Sequence, residues 1–549
     1  MSTAPQPRDT ADSGTIDRVL GNLTEPCFIV DTPDGIGATT TRPAPATETR
    51  VLAAAPPLPP GRLGDPLFLR DHGLAYAYMA GAMAGGIASE DLVIALARAG
   101  FLGSFGAAGL LPEQVARALE RFQREIPALP YACNLIHSPH EERLEREVVA
   151  QCLAYGVRCV EASAYLDLTP HVVRYRVAGL SRDATGRVRT AHRVIAKVSS
   201  EEVARRFMEP PPEPIVADLA ARGEVTAEQA DLARRVPMAD DITVEADSGG
   251  HTDRRPLVSL FPVIARLRDR VQAGRGDGRT IRLGAAGGIG TPEAAAAAFA
   301  MGAAYVVTGS VNQSCVEAGT SRAVKAMLAA AGIADCAMAP AADMFELGAE
   351  LQVLRRGTLF PMRAQHLRTL YRTYDGLDAL PPEERHRLET RILGRTVEEV
   401  WEETVRYFGR RDPEQLRRAE GDPKRAMALV FRWYLGLSSH WARRGEPERT
   451  ADYQIWCGPA MGSFNTWVRG TWLAVESNRR VADVARHLMT GAALASRVAQ
   501  LRLAGVRLPA GCGSYHPRPR PDAAVCEGQP GTRPVPEADP ATAAAGAAS

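Results

Sequence analysis

Between Tyr76 and Leu328 short apolar runs alternate with helical patterns, and this alternation limits the fold more than any other feature. The runs are Tyr76–Met83, Phe101–Phe105, Tyr131–Ile136, Arg158–Glu161, Val194–Lys197, Ile242–Glu245, Ile281–Ala285 and Tyr305–Thr308. They are apolar without polar alternation, so each is expected as a strand buried on both faces, the mark of a parallel sheet. The helical patterns carry their own start signals. Ser89 precedes Glu90 and Asp91, an N-cap followed by acids that suit the helix dipole. Pro112 opens Pro112–Arg124, and Thr291 with Pro292 opens Thr291–Met301. Further helices are expected over Glu141–Ala154, Glu201–Phe207, Pro256–Gln272 and Gly319–Ala331. Eight repeats favour a (β/α)8 TIM-type barrel over an open doubly wound sheet. The unit Glu201–Pro237 holds PPPEP and a second helical pattern, Thr226–Arg235, and reads as an insertion between strands five and six.

After Leu328 the rhythm changes. Residues 365–508 show helical periodicity and contain all six tryptophans. A helical C-terminal region, 341–508, is expected to pack across a face or mouth of the barrel, with its aromatics mainly in the core. Residues 1–60 are rich in Pro, Thr and Ala and are expected as a flexible leader, in which Cys27–Asp31 can form a short strand. Residues 509–549 are expected as a disordered tail.

Lys and Arg number 65 against 64 Asp and Glu, so there is no basic field of the kind that nucleic acid demands. Nine cysteines without a CxxC pair suit free thiols in a reducing compartment and argue against a zinc site. The N-terminus lacks a basic segment leading into an apolar run, so no signal peptide is expected. The most apolar stretch, Thr291–Val307, is too short and too interrupted to span a membrane. A cytoplasmic protein is expected, with neither membrane nor nucleic acid as partner.

In such a barrel the chemistry belongs at the C-terminal strand ends. Strand one runs into the small residues Met83-Ala84-Gly85, where a flat ring can lie on backbone. Strand three ends at Asn134, strand four at Glu161 and strand five at Lys197. Lys197 can touch a cofactor or pair with Glu161 or Glu245. Strand six ends in Asp247-Ser248-Gly249-Gly250-His251. Gly287-Gly288 precede a helix N-cap after strand seven, and Gly309-Ser310 follow strand eight. Loops after strands seven and eight form the usual phosphate site of barrel enzymes. One phosphate beside a flat-ring bed points to FMN, making 61–340 an FMN-binding barrel. His251 is the candidate proton donor, since imidazole titrates near neutrality. Asp247 and Asp253 can hold the imidazole or cap the turn. No second histidine stands at ligand spacing, so no metal is expected.

The blocks AYMAGAMAGGIAS, LGSFGAAGL, IAKVSS, VPMADDITVEADSGGHTDRRPLV, GAAGGIGTPEAAAAAFAMGAAYVVTGSVNQ and DYQIWCGPAMGSFNTWV resemble the PfaD family of trans-acting enoyl reductases in polyunsaturated fatty acid and polyketide synthases. The resemblance spans about residues 65–490. The barrel half is also similar to FMN-dependent nitronate monooxygenases and FabK-type enoyl reductases. The resemblance implies that His251 is catalytic and that Gly287, Gly288, Gly309 and Ser310 hold the FMN phosphate. It places Met83, Ala84, Gly85 and Asn134 against the flavin, with Glu161, Lys197, Ser248, Gly249 and Gly250 in the same site. It implies NADPH as hydride donor, hydride delivery to the β-carbon of a 2-enoyl thioester and protonation of the α-carbon by His251. The substrate is expected on acyl carrier protein. Arg410, Arg411, Arg417, Arg418, Lys424 and Arg425 are candidates for a basic docking patch, against the plainer reading of a solvated helix face. A homodimer is open to such a chain. Two alternatives stand beside this reading: a nitronate monooxygenase in which His251 is a base, and a non-catalytic scaffold of a synthase complex.

Overall fold

Eight parallel strands close into a barrel in strict chain order: Tyr78–Ala80, Leu102–Phe105, Ala132–Ile136, Cys159–Ser163, Arg193–Val198, Asp241–Glu245, Arg282–Ala286 and Tyr305–Thr308. The last returns to the first through Val306–Tyr78, Val307–Met79 and Thr308–Ala80. This is the expected (β/α)8 barrel. The computed structural model describes residues 13–33, 35–44, 49–137, 142–275, 279–411 and 413–519. The start of the helix expected at Glu141 lies outside them; the helix is described from Glu142 to Ala154.

The helix starts follow their signals. Ser89 Oγ accepts from Leu92 N at 3.2 Å and Thr291 Oγ1 from Ala294 N at 3.3 Å. The last barrel helix is shorter than expected: Ser321 caps Arg322–Ala329. The insertion between strands five and six is built from Glu201–Met208, Glu213–Ala221 and Ala227–Ala233. A small hairpin, Leu180–Arg182 with Val188–Thr190, precedes strand five and has no counterpart in the sequence reading. The alanine-rich Pro292–Ala300 packs against the C-terminal helix Val481–Leu503. At Gly491 a Cβ would stand 2.5 Å from Pro292 Cγ, so small side chains on both sides let the two helices approach closely. Among the described residues no helix is long and apolar enough to cross a membrane.

Inside the barrel the Tyr305 ring lies over Gly284, which has no Cβ to obstruct it, and Tyr305 Oη meets Thr243 Oγ1 at 2.8 Å. Phe68 stacks on Tyr305 at 4.2 Å from the N-terminal side. There Asp241 is buried between His72 Nε2 at 2.8 Å and Arg282 Nη2 at 3.1 Å, while Arg282 Nη1 reaches Asp71 at 2.7 Å. This closed end fixes the frame and leaves the other end for function.

Two expectations about the flanks need correction. Residues 13–33, 35–44 and 49–60 are structured: helix Ser13–Gly21 is followed by an antiparallel sheet of Cys27–Thr32 between Gly35–Thr39 and Arg50–Ala55. The cause is distant in sequence. Arg497, fully buried on the C-terminal helix, donates to the carbonyls of Leu20, Asn22, Leu23, Glu25 and Pro56. Ile16, Leu20, Cys27 and Ile29 are buried in the same core. Composition alone does not reveal such docking. Residues 509–519 are likewise held: Tyr515 Oη meets His487 Nδ1 at 2.7 Å, and Trp467 Nε1 donates to Tyr515 O at 3.1 Å. The rest of the expected tail, and residues 1–12, lie outside the described residues.

The region after the barrel is helical but also adds a sheet. Cys336–Pro340 and Glu350–Leu354 pair antiparallel, and Gly250–His251 join the free side of Glu350–Leu354. Helices Phe360–Thr373, Val397–Arg411 and Pro423–Arg444 follow around a second apolar core.

Candidate active site

A cavity of about 750 Å³ opens at the C-terminal strand ends. Its walls include Met83, Ala84, Asn134, Lys197, Ser248, Gly249, Gly250, His251, Gly287, Gly288, Gly309 and Ser310, so the structure brings these predicted residues together. Trp456, Met338, Met344 and Asp343 join them from the appended region.

The floor is built of small residues. Gly81, with Ala82, Met83 and Ala84, follows strand one, and Ala82 N donates to Glu161 Oε2 at 2.8 Å. Glu161 is buried beneath this floor and does not line the cavity. Its Oε1 has no hydrogen-bond partner among the described residues. Asn134 Nδ2 donates to Glu161 O at 3.0 Å and to Ser163 Oγ at 3.2 Å, and among the described residues no donor reaches its Oδ1. Gly85 departs from expectation. It turns away from the cavity with φ +66°, and the Arg443 guanidinium covers it, donating to Gly85 O.

The glycines after strands seven and eight leave open space. Gly288 (φ +73°) and Gly309 have no atom within 4 Å of where a Cβ would stand. Gly287 (φ +87°) is needed for a different reason: a Cβ would sit 2.6 Å from the Ala246 carbonyl carbon. Ser310 Oγ accepts from Gly458 N at 3.0 Å, which ties the appended region to this loop.

The Gly-Gly pair before His251 has two distinct roles. At Gly249 a Cβ would stand 2.8 Å from Cys457 N, so this glycine admits a neighbouring backbone rather than a ligand. Gly250 has φ +83° and open space, and it turns the chain into its pairing with Gln352. Gln352 Nε2 also donates to Asp247 Oδ1 at 2.7 Å and Ser248 O at 2.8 Å. Asp247 is therefore engaged elsewhere, and Asp253 lies 3.9 Å from Arg255. The partner of His251 is Asp343, with Nε2 and Oδ1 3.2 Å apart. The sequence reading missed it, because Asp343 sits in an ordinary AADMF loop that only the added sheet brings to the cavity.

This pairing sets the charge of the imidazole. Burial alone would lower the His251 pKa, but the hydrogen bond and charge of Asp343, with Glu245 behind, raise it above the ordinary value. Burial would raise the Asp343 pKa, but the hydrogen bond and charge of His251, with the Arg432 charge, together hold it below the usual carboxylate range. Lys197 Nζ meets Glu245 Oε1 at 2.9 Å, and the charges of Glu245 and Glu161 overcome its burial and raise its pKa. The cavity thus holds two basic side chains, His251 and Lys197, each paired with its own acid and each shifted toward its charged form. Among the described residues no cluster of three or more His, Cys, Asp or Glu side chains is placed to hold a metal.

Residues 71–364 match the family model for nitronate monooxygenase. The chain belongs to the nitronate monooxygenase family. Within that family it is similar to an enoyl reductase domain of MlnA from the macrolactin cluster of Bacillus amyloliquefaciens, at 40% identity and a TM-score of 0.77. That match covers 81% of this chain and all of the domain. It is 50% identical to one of the polyunsaturated fatty acid synthase subunits of Thraustochytrium sp. (strain ATCC 26185 / S-3), over 80% of this chain and 30% of that protein. It is 44% identical to polyketide biosynthesis protein PksE of Bacillus subtilis (strain 168), over 79% of this chain and 56% of that protein. The chain thus spans about a third of the Thraustochytrium relative and about half of PksE. The resemblance to PfaD-type proteins of these synthases holds. Residues 374–453 match a second model, the inserted helical domain of [acyl-carrier-protein] S-malonyltransferase, which the sequence reading had registered only as helical.

In this family member the expected basic patch is largely spent internally. Arg417 and Arg418 share Glu414, and Lys424 donates to the carbonyls of Tyr371 and Tyr374. The side chains of Arg410 and Arg411 lie outside the described residues.

Proposed function

We propose that this chain is an FMN-dependent, trans-acting enoyl reductase that saturates the 2,3 double bond of enoyl thioesters on acyl carrier protein during polyunsaturated fatty acid or polyketide synthesis. One observation carries the reading: His251, paired with Asp343, in the wall of a cavity floored with small residues and edged by two open glycine loops. The names of the MlnA domain and of the synthase relatives support the same direction.

The residues present fit a flavin. Gly288 and Gly309 leave a cradle that a Cβ would fill, which suits a phosphate. Asn134 Oδ1, in the cavity wall, accepts from no donor among the described residues, and a ring N–H or a ribityl hydroxyl is the kind of group it lacks. Met83, Ala84, Gly287, Gly288, Gly309 and Ser310 would hold the cofactor, with Asn134 at its polar edge and Glu161 supporting the floor through Ala82 N. When bound, the flavin would supply the hydride, drawn from NADPH.

The chain's own residues do the rest. His251 Nε2–H donates to Asp343, leaving Nδ1–H for the α-carbon of the substrate. Because the His251 side chain remains 37% exposed, solvent can return the proton after each turnover. Lys197, charged beside Glu245, adds positive potential to the wall. The walls from Trp456, Met338 and Met344 exclude water from an acyl chain.

The test is spectroscopic. The purified chain should show a flavin spectrum, bleach with NADPH without oxygen and recover its colour on adding a 2-enoyl thioester. Recovery only with oxygen and a nitronate, or a colourless protein that FMN cannot reconstitute, would rule the proposal out.

A further inference from the structure

The charged side chains lining the cavity are paired, with one exception. Lys197 faces Glu245 and His251 faces Asp343. Asp247 accepts from Gln352, Glu350 from Arg368 at 2.9 Å, and Asp253 lies near Arg255. Arg254 lines the same cavity, is exposed, and has no side-chain partner among the described residues.

Its backbone is held in an unusual state. Arg254 has φ +52°, and the one other non-glycine residue with positive φ among the described residues, Ala164 at +59°, also lines this cavity. An L residue adopts that conformation at a cost, and such strain gathers at working sites. The loop around it is fastened. Thr252 Oγ1 accepts from Ser248 N at 3.3 Å and from Arg254 N at 3.1 Å. Asp247 N donates to Arg255 O at 3.1 Å, and Arg255 Nη1 donates to Ser199 O at 2.7 Å. The turn is thus tied down on both sides of the strained residue, while the guanidinium it carries is left without a partner. It stands three residues from His251.

We infer that Arg254 binds a phosphate group of the ligand whose reactive end reaches His251. The inference rests on the enoyl reductase reading, in which two ligands carry phosphate away from the reacting carbons: the pantetheine arm of the acyl thioester and the dinucleotide donor. A guanidinium presents a planar fork that matches phosphate oxygens.

The experiment uses the full chain with Arg254→Ala, Arg254→Lys and Arg254→Gly, the last keeping the left-handed turn without strain. Calorimetry measures binding of 4′-phosphopantetheine, of pantetheine without phosphate, and of NADP⁺. Arg254→Ala and Arg254→Gly should weaken one phosphate-bearing probe about tenfold or more, about 1.4 kcal/mol, while pantetheine is unchanged and Arg254→Lys keeps part of the affinity. In turnover KM for that ligand should rise with kcat nearly constant, since the contact is remote from the chemistry. A KM rise for a phosphopantetheinyl thioester but not for an N-acetylcysteamine thioester names the acyl arm as the source; a KM rise for NADPH names the donor. Equal binding of all three probes by wild type and Arg254→Gly overturns the inference. Probe binding that depends on Arg254 in a protein that reduces no enoyl thioester would instead overturn the functional reading and leave this site standing.

Discussion

His251 Nε2 lies 3.2 Å from Asp343 Oδ1, and this bond joins the end of the sixth barrel strand to a loop outside the barrel. The carboxylate raises the pKa of an imidazole that burial alone would lower. His251→Ala removes the donor but none of the glycine cradle. Turnover of an enoyl thioester should fall by about 10²–10⁴, with flavin content unchanged. A variant of full activity would remove His251 from the mechanism.

Asp343→Asn tests the pairing itself. The folded pKa of His251 is raised, so the acid form persists to higher pH and activity falls as pH rises through that value. With the carboxylate gone, burial is left to dominate and the pKa drops. The basic limb of the kcat/KM profile should move to lower pH in Asp343→Asn. An unmoved limb would mean that another group titrates there.

The barrel was readable because its strands are apolar on both faces and its helices begin with capping residues, both local signals. The glycines at strands seven and eight could be found because they sit at fixed places in that rhythm. Asp343 could not be found this way. It reaches His251 only through pairing of Gly250–His251 with Gln352 and Leu351, a contact across a long stretch of chain that no local pattern encodes. The docking of residues 13–60 depends in the same way on Arg497. The resemblance puts Gly249 in the cofactor site, and it does line the cavity, yet what its missing Cβ admits is the backbone of Cys457.

Gly249→Ala follows from that last point. The new methyl would stand 2.8 Å from Cys457 N, against backbone that cannot swing aside. The added sheet should separate from Gly250–His251 and draw Asp343 away. Far-ultraviolet circular dichroism should stay close to wild type while kcat falls and the pH profile comes to resemble that of Asp343→Asn. Unchanged kinetics would show that the contact is loose.

Gly309→Val probes the cradle, since Gly309 has a negative φ, −128°, and open space where a Cβ would stand. The added side chain would fill the space assigned to the phosphate. FMN affinity, measured by fluorescence on reconstitution, should drop about tenfold or more, a loss of about 1.4 kcal/mol. Equal affinity would place the phosphate elsewhere.

Asp241→Asn addresses the opposite end of the barrel. Asp241 is fully buried between His72 and Arg282, and Arg282 is itself nearly so. Burial would raise the Asp241 pKa, but the charges and hydrogen bonds of His72 and Arg282 prevail and hold it at about 2. Replacing it strands a buried guanidinium with only Asp71 at the rim, which should cost about 3–5 kcal/mol. The pH dependence has a definite sign. The folded pKa lies below the unfolded one, so the stabilisation is complete above about pH 4 and is lost as pH falls through about 2. Urea midpoints should therefore separate wild type from Asp241→Asn most at neutral pH and converge between pH 4 and 2. Because His251 is at the other end of the strands, kcat should be preserved wherever the variant is folded. A midpoint at pH 7 equal to wild type would show that Arg282 finds sufficient partners without Asp241.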